Sequence, residues 1–477
     1  MSIKFIFYFF LFISFFNSFI LSYIVIPFNI YKKEEENSNE SLDIIKFFEN
    51  NFESQIYAKM YIGTPKNFIY VNPRMNIHGL TIGYLCDNNL NCEESNYNIN
   101  KSSTFRDDPN KKYYSRNQWS YIVQDSFTLF SEIDLKNETI LNNISFIYTP
   151  KDETNNLNKI CGTLGLALDS HYFLTRDANF IKILKQFQYI NTYDFSIYFT
   201  SDNEGKLIIG EEPHYYLPKI FNVNNLRKNN VLLDGYSNSA WKTEFSQIYF
   251  TMNDIKYKVK EGKNAVFAIE NNYIIGNKNY QKLIEENFFK KYLDNNICYY
   301  EKINNPKYVI LICNKDSSFD INSFPTLYLY HRIFNYTFEL NNKELFLEKG
   351  NKYIFLVFFW EYGLDYFTLG KIFLRKYLFT FNIDSKSIGF YNVKYEEEFR
   401  DNNPSTISII FKIIGLIIIL IASVVGFFFA KKLYDKSRKK RVNELTDDCD
   451  YESYIDNNIN YEKNGDKKVY LEIPLKS

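Results

Sequence analysis

The sequence predicts a mainly β protein built as two similar halves, followed by one transmembrane helix. Three observations lead there. Across residues 52–393, short aromatic and β-branched runs are broken by clusters of Asn, Asp, Gly and Lys, which is the texture of strands and turns. Features recur at matching places in the two halves of that stretch: a strand entering a short motif, a later helix and a small cysteine loop. An apolar run at 413–430, with 406–411 before it, is long enough to cross a bilayer as a helix. Composition agrees, since 45% hydrophobic and 19% aromatic residues in a chain of 477 are ample for a large core. Lys plus Arg balances Asp plus Glu at 56 each, so no global field points to nucleic acid or to an acidic partner.

Taken in order, residues 1–22 carry Lys4, an almost unbroken apolar run and Ser22 near a cleavage position, the pattern of a secretory signal peptide. An uncleaved signal anchor is the alternative. Residues 23–51, rich in Lys, Glu, Asn and Ser from 31 onward, read as a polar leader. Residues 195–200 and 207–209, joined through Gly205, read as a hairpin. Phe180, Ile183, Leu184 and Phe187 have helical spacing, as do Tyr280, Leu283, Ile284 and Phe288. After the predicted span at 406–430, seven Lys and Arg residues between 431 and 441 mark the cytosolic side of a single-pass type I protein. The tail, 431–477, is polar. Its Tyr470-Leu-Glu-Ile473 fits the pattern that sorting adaptors bind, although 41 tyrosines also generate such matches by chance.

Several stretches resemble pepsin-like aspartic peptidases. Residues 57–65, Tyr-Ala-Lys-Met-Tyr-Ile-Gly-Thr-Pro, are similar to that family's opening strand and IGTP turn. Cys86 to Cys92 followed by Asn-Lys-Ser-Ser-Thr-Phe at 100–105 resembles its small disulfide loop and SSTF landmark. Tyr113, twelve residues before Asp125, has the spacing of the flap tyrosine, and Cys161-Gly-Thr-Leu-Gly-Leu166 is similar to DGILGLG. Gly205-Lys-Leu-Ile-Ile-Gly210 looks like the hairpin that closes the first lobe. The most specific block is at the far end, with Trp360, Phe-Thr-Leu-Gly-Lys-Ile-Phe-Leu-Arg-Lys-Tyr at 367–377 and Ile388-Gly-Phe390. The resemblance implies a bilobal pepsin-like fold with lobes at 52–217 and 218–396, and disulfides Cys86–Cys92 and Cys298–Cys313 formed in an oxidising compartment. With the membrane anchor, the chain is most like the membrane-bound plasmepsin branch.

That family keeps one aspartate on each of two motifs. Counting without gaps from Ile62 places Arg74 at the first, whereas a two-residue shift places Asn72 there; between Ser54 and Leu85 there is no Asp or Glu in any register. Residues 265–276 fall on the second motif without a gap and put Ala268 at the aspartate. Glu270 takes the place of the motif's glycine and reads as a solvated loop residue, while the later LGD landmark becomes Leu369-Gly370-Lys371. Peptide hydrolysis of this type needs two carboxylates sharing one proton, so that one activates water and the other protonates the carbonyl. A guanidinium stays protonated and alanine has no polar side-chain atom. The resemblance therefore implies a pseudoprotease whose cleft between lobes binds a peptide or protein partner. An active endopeptidase using an atypical acid, Glu270 first, is one alternative; a surface, adhesion or structural protein is another.

The flap tip at 114–118 lacks the family's glycines. Tyr113 and Trp119 stand either as cleft contacts or as ordinary aromatics of a hairpin. Cys161 has no evident partner, and no motif ties it to His78, His171, His214 or His331. No cluster has metal-ligand spacing and no cofactor is called for. Sequons at Asn39, Asn100, Asn137, Asn143 and Asn335 are compatible with lumenal glycosylation in the secretory or endosomal system, or at the cell surface.

Overall fold

A computed structural model of the chain describes residues 23–30, 56–83, 97–115, 118–130, 138–150, 161–168, 178–233, 239–304, 307–315, 318–392, 426 and 428–438. The expected signal peptide, the leader beyond residue 30, the Cys86–Cys92 loop, positions 406–425 of the expected span, Tyr470 and Ile473 lie outside those residues. The chain divides into two compact units, one of residues 21–400 and one of 1–20 with 401–477. Within the second unit, residues 428–438 are helical. Among the described residues no helix is long and apolar enough to cross a membrane.

In the larger unit, the described strands fall into sheets of thirteen, nine and four strands. Their sequences show why. In Ile56–Ile62 every second side chain, Ile56, Ala58, Met60 and Ile62, is fully buried while Lys59 is exposed, the period-two pattern of a strand with one face on a core. Asp194–Phe199 is buried at all six positions because it runs inside the largest sheet, between Glu204–Ile209 and Leu378–Asn382. The first pairing is the hairpin expected at 195–209, with Gly205 opposite Phe199. The second joins the two halves of the chain in one sheet, and the rings of Phe195 and Phe381 stack across it at 5.1 Å.

Ile24–Ile30 corrects the leader expected at 23–51. It is a strand between Glu204–Ile209 and Ile56–Ile62, with Ile24, Ile26, Phe28 and Ile30 all buried. Its alternating apolar pattern was masked by the Lys- and Glu-rich composition that follows it. Both amphipathic helices form, as Phe180–Gln186 and Lys278–Ile284. Each is started by an asparagine, Asn179 and Asn277, whose side chain accepts an amide of the first turn. Cys298 and Cys313 face each other across an antiparallel pair and are joined by a disulfide.

Each half also contains the same crossing of strands. In the first, Asn67–Arg74 and His78–Gly83 flank Cys161–Leu166, which lies parallel to the former and antiparallel to the latter. In the second, Asn264–Phe267 and Ile274–Gly276 flank Phe367–Leu369 with the same two senses. His78–Gly83 then pairs in parallel with Glu138–Thr149, and Ile274–Gly276 with Val357–Trp360.

Candidate functional site

The paired registers fix which residues of the two halves correspond. Thr163 lies opposite Asn72 on one side and Thr81 on the other; Thr368 lies opposite Val266 and Ile275 in the same way. With Asn72 matched to Val266 and Thr81 to Ile275, the intervening spacing matches Arg74 to Ala268. Arg74 and Ala268 are thus the positions that correspond in the two halves of this chain. Arg74 ends its strand opposite Gly165, and Ala268 follows Phe267, which lies opposite Leu369.

The loops beyond these two positions cross a glycine in each half. A Cβ on Gly165 would lie 2.5 Å from the carbonyl oxygens of Ile77 and Gly79, and one on Gly370 would lie 2.6 Å from that of Asn271. Any side chain at either place would push the loop away, so Cys161-Gly-Thr-Leu-Gly-Leu166 and Leu369-Gly370 retain glycine for a close backbone approach. Lys371, partly exposed, follows directly, and its amide donates to the Asn271 carbonyl at 2.7 Å.

Glu270 is not the solvated loop residue its sequence context suggested. It is 4% exposed, and its Oε2 accepts the Met75 amide at 3.1 Å, from the other half of the chain. Met75 follows Arg74 and is itself 1% exposed. Sequence reasoning missed this because the contact joins positions 195 apart. The one available signal was an acid at a glycine position. Arg74 is partly exposed and Ala268 is buried.

Two further contacts position these loops. Trp241 Nε1, fully buried, donates to the Leu166 carbonyl at 2.7 Å, and the Leu168 amide donates to the Ser239 carbonyl at 2.9 Å; both join the halves beside the crossing strands. In the first half, Gly63 has φ +79° and the Thr64 amide donates to Ser102 Oγ at 3.1 Å. Ser102 and Thr104 hydroxyls donate to Asp125 Oδ1, joined there by the Ser126 amide at 2.7 Å, and Tyr97 donates to Oδ2 at 2.9 Å. The IGTP turn and the SSTF stretch thus meet over one fully buried carboxylate. The Tyr97 hydroxyl is pushed far above its usual pKa, first by burial and then by the charge of Asp125.

Tyr113 and Trp119 lie in neighbouring cross-strand pairs, Tyr113 with Ser120 and Tyr114 with Trp119, beside the Ser115–Gln118 pair that closes the hairpin. Among the described residues no group of three or more His, Cys, Asp or Glu is arranged to hold a metal ion. His331 is a core residue: its Nδ1 accepts the Phe334 amide at 3.2 Å, so its neutral form carries the proton on Nε2, 2.8 Å from Thr243 Oγ1. Burial lowers its pKa from 6.5 to about 4.

The family described as eukaryotic aspartyl protease matches residues 70–393. No curated protein matches the sequence. Among solved structures, the crystal structure of basic 7S globulin from soybean is similar with a TM-score of 0.52 and 12% identity, covering 80% of this chain and 97% of that one. Conglutin gamma, a basic 7S globulin from lupine seeds, is similar with a TM-score of 0.52 and 11% identity, covering 78% and 95% respectively. At such identities the likeness is one of fold alone.

Proposed function

The chain belongs to the eukaryotic aspartyl protease family and has its mainly β, pepsin-like fold; from that premise we propose that it is a pseudoprotease, which uses the cleft between its lobes to bind a peptide or protein partner without cutting it. The observation that carries the reading is the pair Arg74 and Ala268 at matched ends of the two crossing strands. These are the places at which the sequence resemblance puts the two catalytic aspartates. Hydrolysis by this family needs both acids, one as base and one as proton donor. Arg74 stays cationic and Ala268 offers no polar atom. Glu270, the acid nearest in sequence, is buried and accepts a backbone amide, which speaks against its serving as a solvent-facing base.

The same proposal places the lobes on the lumenal or extracellular side of a single-pass type I membrane protein, similar to the membrane-bound plasmepsins. It draws on the apolar runs within 1–22 and 406–430 and the basic cluster that follows. Sorting adaptors reading Tyr470 and Ile473, and glycans on the sequons, belong to that setting.

The test is to incubate the purified full-length chain with a peptide library and weigh the bound peptides by mass spectrometry. Peptides recovered intact are expected. Bound peptides found cleaved would overturn the inactive part of the reading, and absence of any retained peptide would overturn cleft binding.

A further inference from the structure

We infer that Glu270 is a positioning residue, which latches the second half of the chain to the first and fixes the corner that carries Arg74. In the matched loops, Met75 corresponds to Ile269 and Asn76 to Glu270. Met75 and Ile269 are both buried, yet Asn76 is exposed while Glu270 is 4% exposed. The two loops are alike in path and unlike in what that position does.

Physical chemistry accounts for the difference. A backbone amide as buried as that of Met75 needs an acceptor, and a buried carboxylate needs donors. Glu270 accepts the Met75 amide at 3.1 Å. Neither glycine nor a shorter apolar side chain at 270 reaches across with an acceptor. The side chain at position 270, then, decides whether this bond exists. Its consequence is local: Arg74, next to Met75, is held at the floor where the halves meet.

The latch stands whether or not the cleft takes a partner, so its test uses no ligand. Amide hydrogen exchange is read across the full-length chain for wild type, Glu270→Gln and Glu270→Met. Glutamine keeps an acceptor oxygen, whereas methionine matches the length and has none. The Met75 amide is expected to stay protected with glutamine and to exchange about tenfold faster or more with methionine, the loss expected for one hydrogen bond to a charged group. Amides of Ile56–Ile62 and Asp194–Phe199 serve as the internal reference and are expected to hold in all three chains. Equal Met75 exchange in the glutamine and methionine chains, relative to that reference, would overturn the inference. A role in bulk packing alone predicts that outcome, because both side chains fill the same space.

Discussion

Acidification should cost this protein stability through His331, and the amount follows from its surroundings. The imidazole is 1% exposed, lies 4.0 Å from the Phe334 ring, and points Nδ1 at a donor, the Phe334 amide. Protonating Nδ1 would set two donors against each other in a site that also disfavours charge. Burial lowers the pKa from 6.5 to about 4. At about 1.4 kcal/mol per unit, preference for the neutral form is worth about 3 kcal/mol. The sign follows from proton counting. Between pH 4 and 6.5 the unfolded chain binds the extra proton and the folded chain does not, so stability falls as pH drops. The contribution is complete above pH 6.5 and gone by about pH 4. The assay is urea unfolding of the full-length chain and of His331→Gln at pH 7, 5.5 and 4. Wild type should lose its advantage over the variant across that range, by about 3 kcal/mol in all. An advantage that is the same at pH 7 and pH 4 would refute the reasoning.

Other perturbations have expected sizes. Replacing Cys298 and Cys313 together by alanine opens a loop of 15 residues and should cost about 3 kcal/mol in denaturant unfolding. Tyr97→Phe keeps the ring and removes one bond to Asp125, for a loss of about 1.5–3 kcal/mol. Asp125→Ala leaves three hydroxyls and an amide without their acceptor and should cost more than that single deletion, as calorimetry would show. Trp241→Phe removes the bond to Leu166 between the halves and should lower stability by about 1–3 kcal/mol.

Much of the fold was legible because its cues are local. Period-two strands, the asparagine-started helices and the Gly205 hairpin are written in neighbouring residues. The pairing of Ile56–Ile62 with Asn67–Arg74 and the turn at Gly63 to Pro65 between them are likewise set by adjacent residues. The strand at Ile24–Ile30 was lost to an average over a longer polar stretch. The burial of Glu270 and the convergence of Tyr97, Ser102 and Thr104 on Asp125 depend on contacts that sequence spacing does not encode. For His331 the sequence offered only that no motif ties it to Cys161. Its place in the core came only with its partners Thr243 and Phe334.

The most direct test of the central claim is turnover. The full-length chain, shown to be folded, is offered a broad peptide library from pH 4 to 7, with and without pepstatin. The account predicts no pepstatin-sensitive cleavage at any pH, because Arg74 and Ala268 supply no carboxylate. Cleavage that pepstatin abolishes, and that Glu270→Gln also abolishes, would contradict it.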